Sequence, residues 1–122
     1  MSAEKKSYKA GQILFNDGEA SHSLFIIEKG GVSIRKKKGN ASVEVGKVLK
    51  GEVIGELSFF DRQPRSATAV AITDVEVIEI SFASMENIYA SIPDYMKTIM
   101  GSLAARLRKA NDTIRQLRNL PD

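Results

Sequence analysis

The first eighty residues carry short apolar runs punctuated by glycine, and the rest carries apolar residues at helical spacing. Gln12 to Phe15 is a brief apolar run closed by Asn16-Asp17-Gly18, a strong turn signal. Ser23 to Glu28, centred on Leu24-Phe25-Ile26-Ile27, reads as a buried strand. Lys29-Gly30-Gly31 predicts a tight turn, after which Val32 and Ile34 alternate with Ser33 and Arg35. Val43, Val45 and Val48-Leu49 continue the pattern, with Gly46 and Gly51 as punctuation. Ala67, Ala69 and Ala71 then alternate with Thr68, Val70 and Ile72, and Val75, Val77-Ile78 and Ile80 follow the Thr73-Asp74 turn. About seven or eight short strands with Gly-rich turns predict a sandwich or barrel. Residues 1–9 read as a polar lead-in, with Tyr8 the first anchored side chain.

After Ile80 the period changes. Ser81 is a natural N-cap, because its hydroxyl can satisfy a free amide of the first turn. Phe82 to Ala90 predicts a short helix, with Phe82, Met85, Ile88 and Tyr89 on its apolar face. Ser91-Ile92-Pro93-Asp94 interrupts it, and a second helical pattern runs from Tyr95 to about Leu120, where Pro121 stops it. In that helix Met96, Met100, Leu103, Leu107, Ala110, Ile114 and Leu117 alternate at spacings of four and three, as in a coiled coil. Met96 to Leu103 is expected against the domain itself. Residues 107–117 are expected to meet a partner helix in a homodimer.

Composition narrows the class. At 122 residues, 43% hydrophobic and 27% charged, the chain reads as one domain spanning 1–122. It has no cysteine, which excludes disulfides and thiolate chemistry. No apolar run approaches the roughly 20 residues of a membrane span, and the N-terminus lacks a signal-peptide stretch, so a cytoplasmic protein without membrane contact is expected. The net charge of +3 is uneven: residues 97–120 hold six Lys or Arg against one acid, Asp112. Without interleaved aromatics this reads as a solvated helix face, and no direct nucleic-acid binding is expected. The basic run Arg35 to Lys38 leads into Gly39-Asn40 and reads as a solvated hairpin tip. His22 is the sole histidine, too few for the metal site of a cupin-like enzyme, so no metal and no catalytic residue are expected.

The most informative stretch runs from Gly51 to Ala69. Gly55 breaks the Val53-Ile54 pair, where a backbone turn or a close approach needs no Cβ. Glu56-Leu57-Ser58-Phe59-Phe60 predicts about one helical turn, whose free amides favour an anion. Pro64 ends any helical run and Arg65 enters the next strand. Amides and a guanidinium suit a phosphate, and the Glu56 carboxylate can accept from a sugar hydroxyl.

Gly55-Glu56-Leu57 and Arg65-Ser66-Ala67-Thr68, at this spacing, closely resemble the phosphate-binding cassette of cyclic nucleotide-binding domains. The order of strands, cassette, short helix and long helix is similar to that family too, most of all to its bacterial catabolite-activator and cAMP-dependent kinase regulatory members. The resemblance implies a mainly β fold with α: a double-stranded β-helix (jelly-roll) barrel at 10–80 with the cassette at 51–69, a short helix at 81–91 and a long C-terminal helix at 93–120. It also implies a non-catalytic sensor of a cyclic purine mononucleotide, most simply cAMP, with cGMP as the alternative and no further cofactor. Glu56 would accept from the ribose 2′-hydroxyl and Arg65 would pair with the cyclic phosphate. Amides around Gly55, Leu57, Ser58, Ser66 and Ala67, with the Ser66 hydroxyl, would complete the cradle. Ile34 and Val48 would line the base, and Arg106, Ala110 and Asn111 would approach it from the long helix.

Two departures stand out. Ala110-Asn111 replaces the hydroxyl pair with which the activator reads adenine, so base recognition must differ. The resemblance also stops short of the helix-turn-helix that follows in the activator, so the chain is expected to be a stand-alone sensor or a regulatory fragment acting on an unknown effector. A dimerisation module with a vestigial pocket is the competing reading.

Overall fold

The computed structural model describes the backbone of residues 3–118 and the side-chain surroundings through Thr113. Eight strands run in chain order: β1 (Ala3–Tyr8), β2 (Ile13–Phe15), β3 (Ser23–Lys29), β4 (Gly31–Lys38), β5 (Ala41–Leu49), β6 (Val53–Ile54), β7 (Thr68–Ala71) and β8 (Val75–Ser81). A five-residue helix α1 (Leu57–Asp61) sits between β6 and β7. Helices α2 (Phe82–Ser91) and α3 (Asp94–Arg118) follow the last strand.

The strands form two four-stranded antiparallel sheets, ordered β1-β8-β3-β6 and β2-β7-β4-β5. This is the jelly-roll outline, mainly β with helices appended. β3 and β4 adjoin in sequence yet lie in different sheets, so the turn between them is a corner. Gly30 makes it at φ 85°, where an added Cβ would stand 2.4 Å from the Asp74 carbonyl oxygen. Only a residue without a side chain fits there.

Residues 3–8 depart from the expected polar lead-in. They form an edge strand paired with β8 from Ala3↔Ile80 to Tyr8↔Val75. A solvated edge strand buries almost none of its side chains, so it carries no apolar alternation to read. Lys6 instead pairs with Glu79 of β8 at 2.5 Å.

Phe15, Phe25, Ile27, Val32, Ile54 and Val77 fill the space between the sheets, where Ala69 is fully buried. A second cluster joins α1 and α2 to the barrel through Leu24, Phe59 and Phe82. The Phe59 ring lies edge-on to Phe82 and Tyr89, with centroids 5.3 and 5.2 Å apart. The Ser81 hydroxyl caps α2 by accepting from the Ser84 amide at 3.2 Å. Ile92, constrained by the following Pro93, is extended and ends α2. No described helix is long and apolar enough to cross a membrane.

α3 meets the rest of the domain mainly through α1. Ala104 is its buried residue there, and its small side chain lets the two helices approach. Leu103, expected against the domain, is 58% exposed. Ile114 and Leu117 of the apolar seam lie outside the described side chains, and the helix end near Leu120 lies outside the described residues.

Candidate functional site

Arg65 is 6% exposed although it is charged. Its guanidinium lies 4.2 Å from the centroid of the Phe15 ring and 5.8 Å from that of Phe25. Nη2 donates to the Ser23 carbonyl at 2.7 Å, and Nη1 to the Gly55 carbonyl at 3.5 Å. Burial pushes the group below the ordinary arginine value, and the Glu19 and Glu79 carboxylates offset part of that push. Arginine stays protonated through such shifts. A cation is thereby held in the barrel wall between two rings and two carbonyls. Neither of those carbonyls carries a full negative charge.

The backbone around Arg65 is braced by the β2–β3 loop. Its amide donates to the Glu19 carbonyl at 2.9 Å, and its carbonyl accepts from the Gly18 amide at 2.8 Å. The Asp17 amide bonds the Thr68 hydroxyl at 3.0 Å. The turn that ends β2 therefore fixes where the arginine leaves the chain.

Gly55 takes φ 84°, and a Cβ built on it would sit 2.3 Å from Arg65 Nη1. The glycine thus serves the turn and leaves room for the guanidinium. Glu56 follows as the N-cap residue of α1, yet its side chain makes no capping bond. Arg62 ends α1 in the left-handed region at φ 59°, an uncommon conformation for a residue with a side chain. It is held there by an ion pair with Glu86 of α2 and by the Phe59 ring, whose centroid is 5.0 Å away.

An open cavity of about 200 Å³ joins these parts. Its floor includes Gly55, Glu56, Leu57, Ser58, Arg65, Ser66 and Ala67. Ile34 and Val48 add an apolar wall, and Asn111 of α3 also lines the cavity. The lining thus combines guanidinium and backbone amides with apolar side chains. That pairing of chemistries suits a molecule with a phosphate at one end and an aromatic base at the other.

Arg106 and Ala110, expected at the cavity, lie on exposed faces of α3 and do not line it. The arginine of α3 that lines it is Arg108. Two residues turn a helix by about 200°, so Arg106 and Arg108 face nearly opposite ways. Arg108 and Asn111 are three apart and share a face. That spacing was present in the sequence as a signal. Phe15, Val53 and Ile54 also line the cavity, and none of them was expected to touch the ligand. Nothing in their local pattern distinguishes them from core residues.

The model of the cyclic nucleotide-binding domain family matches residues 5–91. A CRP-like cAMP-activated global transcriptional regulator of Mycobacterium tuberculosis is 28% identical over 111 residues, covering 90% of this chain and 50% of that protein. The type II regulatory subunit of cAMP-dependent protein kinase from Drosophila melanogaster is 30% identical over 105 residues, covering 85% of this chain and 28% of that protein. Among solved structures, the cAMP-bound form of the EAL enzyme Bd1971 superposes with a TM-score of 0.79 at 29% identity, covering 93% of this chain and 31% of that one. Its cGMP-bound form superposes equally, at 26% identity, with 93% and 30% covered. The chain spans half the length of the first of these relatives and less of the others.

Proposed function

Since the chain belongs to the cyclic nucleotide-binding domain family, we propose that it is a non-catalytic sensor of a cyclic purine mononucleotide, with cAMP the preferred ligand. The observation that carries this reading is the buried guanidinium of Arg65 sharing one cavity with Glu56 and an apolar wall. The cyclic phosphate carries one negative charge. It would take the exposed side of the Arg65 fork and the amides of the first turn of α1. The Glu56 carboxylate would accept from the ribose hydroxyl, a partner that an uncharged pocket would lack. The purine would lie against Ile34 and Val48. Asn111 can both donate and accept at its edge, which is compatible with either purine. Of these residues, Ser66 and Asn111 are the ones through which cGMP would compete.

The signal would leave through α3. A nucleotide favouring one position of α3 over another shifts its population, and the difference in affinity limits the shift. The exposed apolar residues Ile99, Leu103 and Leu107 at spacings of four support a second copy of α3 as the surface that reads it. Dimerisation would then pass the change to whatever effector is attached. The names of the relatives, a transcriptional regulator and a kinase regulatory subunit, are compatible with different effectors. A cytoplasmic setting suits a sensor of this ligand.

A thermal-shift titration with cAMP, cGMP, AMP and a cyclic dinucleotide, confirmed by calorimetry, tests the reading. A ligand present at about 100 times its Kd stabilises the fold by about 2.7 kcal/mol. A shift with cAMP is expected. No shift with any of the four overturns the sensor and leaves a dimerisation module.

A further inference from the structure

Asp61 and Arg108 meet across the gap between α1 and α3. Arg108 Nε donates to Asp61 Oδ2, and Nη2 donates to Oδ1 at 3.2 Å. Both side chains are more than four-fifths buried, at 18% and 17% exposed. The acceptor is itself fixed, because the Gln63 amide donates to Asp61 Oδ1 at 3.1 Å where the chain turns back after Arg62. Beside the pair an open groove of about 240 Å³ runs along the helices, edged by Leu57, Phe60, Met100, Leu103 and Leu107. The Ile92-Pro93 break separates α3 from α2, and Lys97 ties the base of α3 back to the Ala90 carbonyl and the Tyr89 ring, about three turns before Arg108. A two-pronged guanidinium–carboxylate pair constrains both distance and orientation, which apolar contact across a cleft does not.

We infer that Asp61 and Arg108 form a clasp holding α3 beside the cavity before any nucleotide arrives, which makes both of them positioning residues for nucleotide capture. Consecutive residues at the end of α1 divide the work: Asp61 holds α3, and Arg62 holds α2 through Glu86. A nucleotide entering the cavity then meets Asn111 already in place. If the clasp opens, apparent affinity falls by the fraction of molecules with α3 closed. This extends the proposed sensor reading and rests on it for the affinity arm alone.

The absence of cysteine allows two spin labels to be placed, at Lys37→Cys on β4 and Ala105→Cys on α3, both exposed. Pulsed EPR on the nucleotide-free protein should give a narrow main distance from the clasped position, with a minor population that cAMP removes. Asp61→Asn, which keeps an acceptor for the Gln63 amide, and Arg108→Gln should each broaden and lengthen the main distance, and Arg108→Lys should do so less. An unchanged distribution in both Asp61→Asn and Arg108→Gln overturns the clasp. In parallel, calorimetry with cAMP should show about tenfold weaker binding in Asp61→Asn, whose side chain does not line the cavity, corresponding to about 1.4 kcal/mol. Unchanged affinity alongside a broadened distance overturns the role in capture. If the unsubstituted protein binds no cyclic nucleotide, the sensor reading fails, and the EPR arm still decides the clasp.

Discussion

The Lys36 ammonium donates to the Ser66 carbonyl at 2.8 Å, so a residue of the basic β4 run reaches the cassette from outside. Lys36 also lies 3.7 Å from the Asp17 carboxylate in the loop that braces Arg65. It is therefore a strut between that loop and the residue after Arg65, and only part of the run is a solvated tip. Lys36→Met should weaken cAMP binding by about three- to tenfold, in line with the loss of one charge-assisted bond of about 1 kcal/mol. Calorimetry on the two proteins decides it, and unaltered affinity would mean that the strut is dispensable.

Arg65→Leu should abolish measurable binding and also lower stability. The Ser23 carbonyl would lose its donor inside the barrel wall, at a cost of about 1–3 kcal/mol. Denaturant unfolding beside a cAMP titration separates the two effects. Full stability in this variant would show that water replaces the guanidinium at no cost.

Gly55→Ala should be as damaging as a change to the arginine. The new methyl would overlap Arg65 Nη1, and φ 84° is strained for alanine. A loss of about 1–3 kcal/mol and displacement of the guanidinium are expected. Calorimetry should show binding reduced more than for Lys36→Met.

Acid and alkali should both loosen β1. Burial alone would raise the Glu79 pKa, but hydrogen bonds from Lys6 and Ser23 prevail and hold it below 4.5. Lys6 is raised above 10.5, chiefly by its bond to Glu79. The carboxylate's contribution is present above its unfolded value and lost as pH falls through the lower folded one. The ammonium's contribution is present below its unfolded value and lost as pH rises through the higher folded one. Tm should fall below about pH 4.5 and above about pH 10.5. In Lys6→Met the alkaline fall should shrink.

Leu107→Glu should leave a monomer. Leu107 is 48% exposed on the apolar face of α3, and a charge there would oppose its copy across a parallel seam. Sedimentation velocity over a range of concentrations would report it. A monomeric parent protein would remove the dimer from the reading.

Much of the barrel could be read in advance because its strands alternate or are apolar throughout, as Leu24 to Ile27 and Ala67 to Ala71 show. The cassette was legible because Gly55-Glu56-Leu57 and Arg65-Ser66-Ala67-Thr68 resemble a family motif, and the structure brings Gly55 and Arg65 together. β1 was hidden because an edge strand needs no apolar alternation. Its pairing rests on partners 67 to 77 residues away. Arg108 shares a face with Asn111 at a readable spacing of three, yet which face of α3 turns inward was hidden for another reason. The rotation of α3 is set by Ala104 and Asp61, and neither contact leaves a periodic trace.

Ala3 pairs with Ile80, one residue before the Ser81 cap of α2. The way into the barrel and the way out towards the helices therefore share a corner. A tether fastened ahead of Ala3 would pull on β1 beside the start of α2. Because the pair is antiparallel, a load applied across it would unzip bonds singly from the Ala3–Ile80 end, and the first to part would lie next to the root of the helical segment. Mechanical load, as well as a small molecule, could in that way reach α2 and α3.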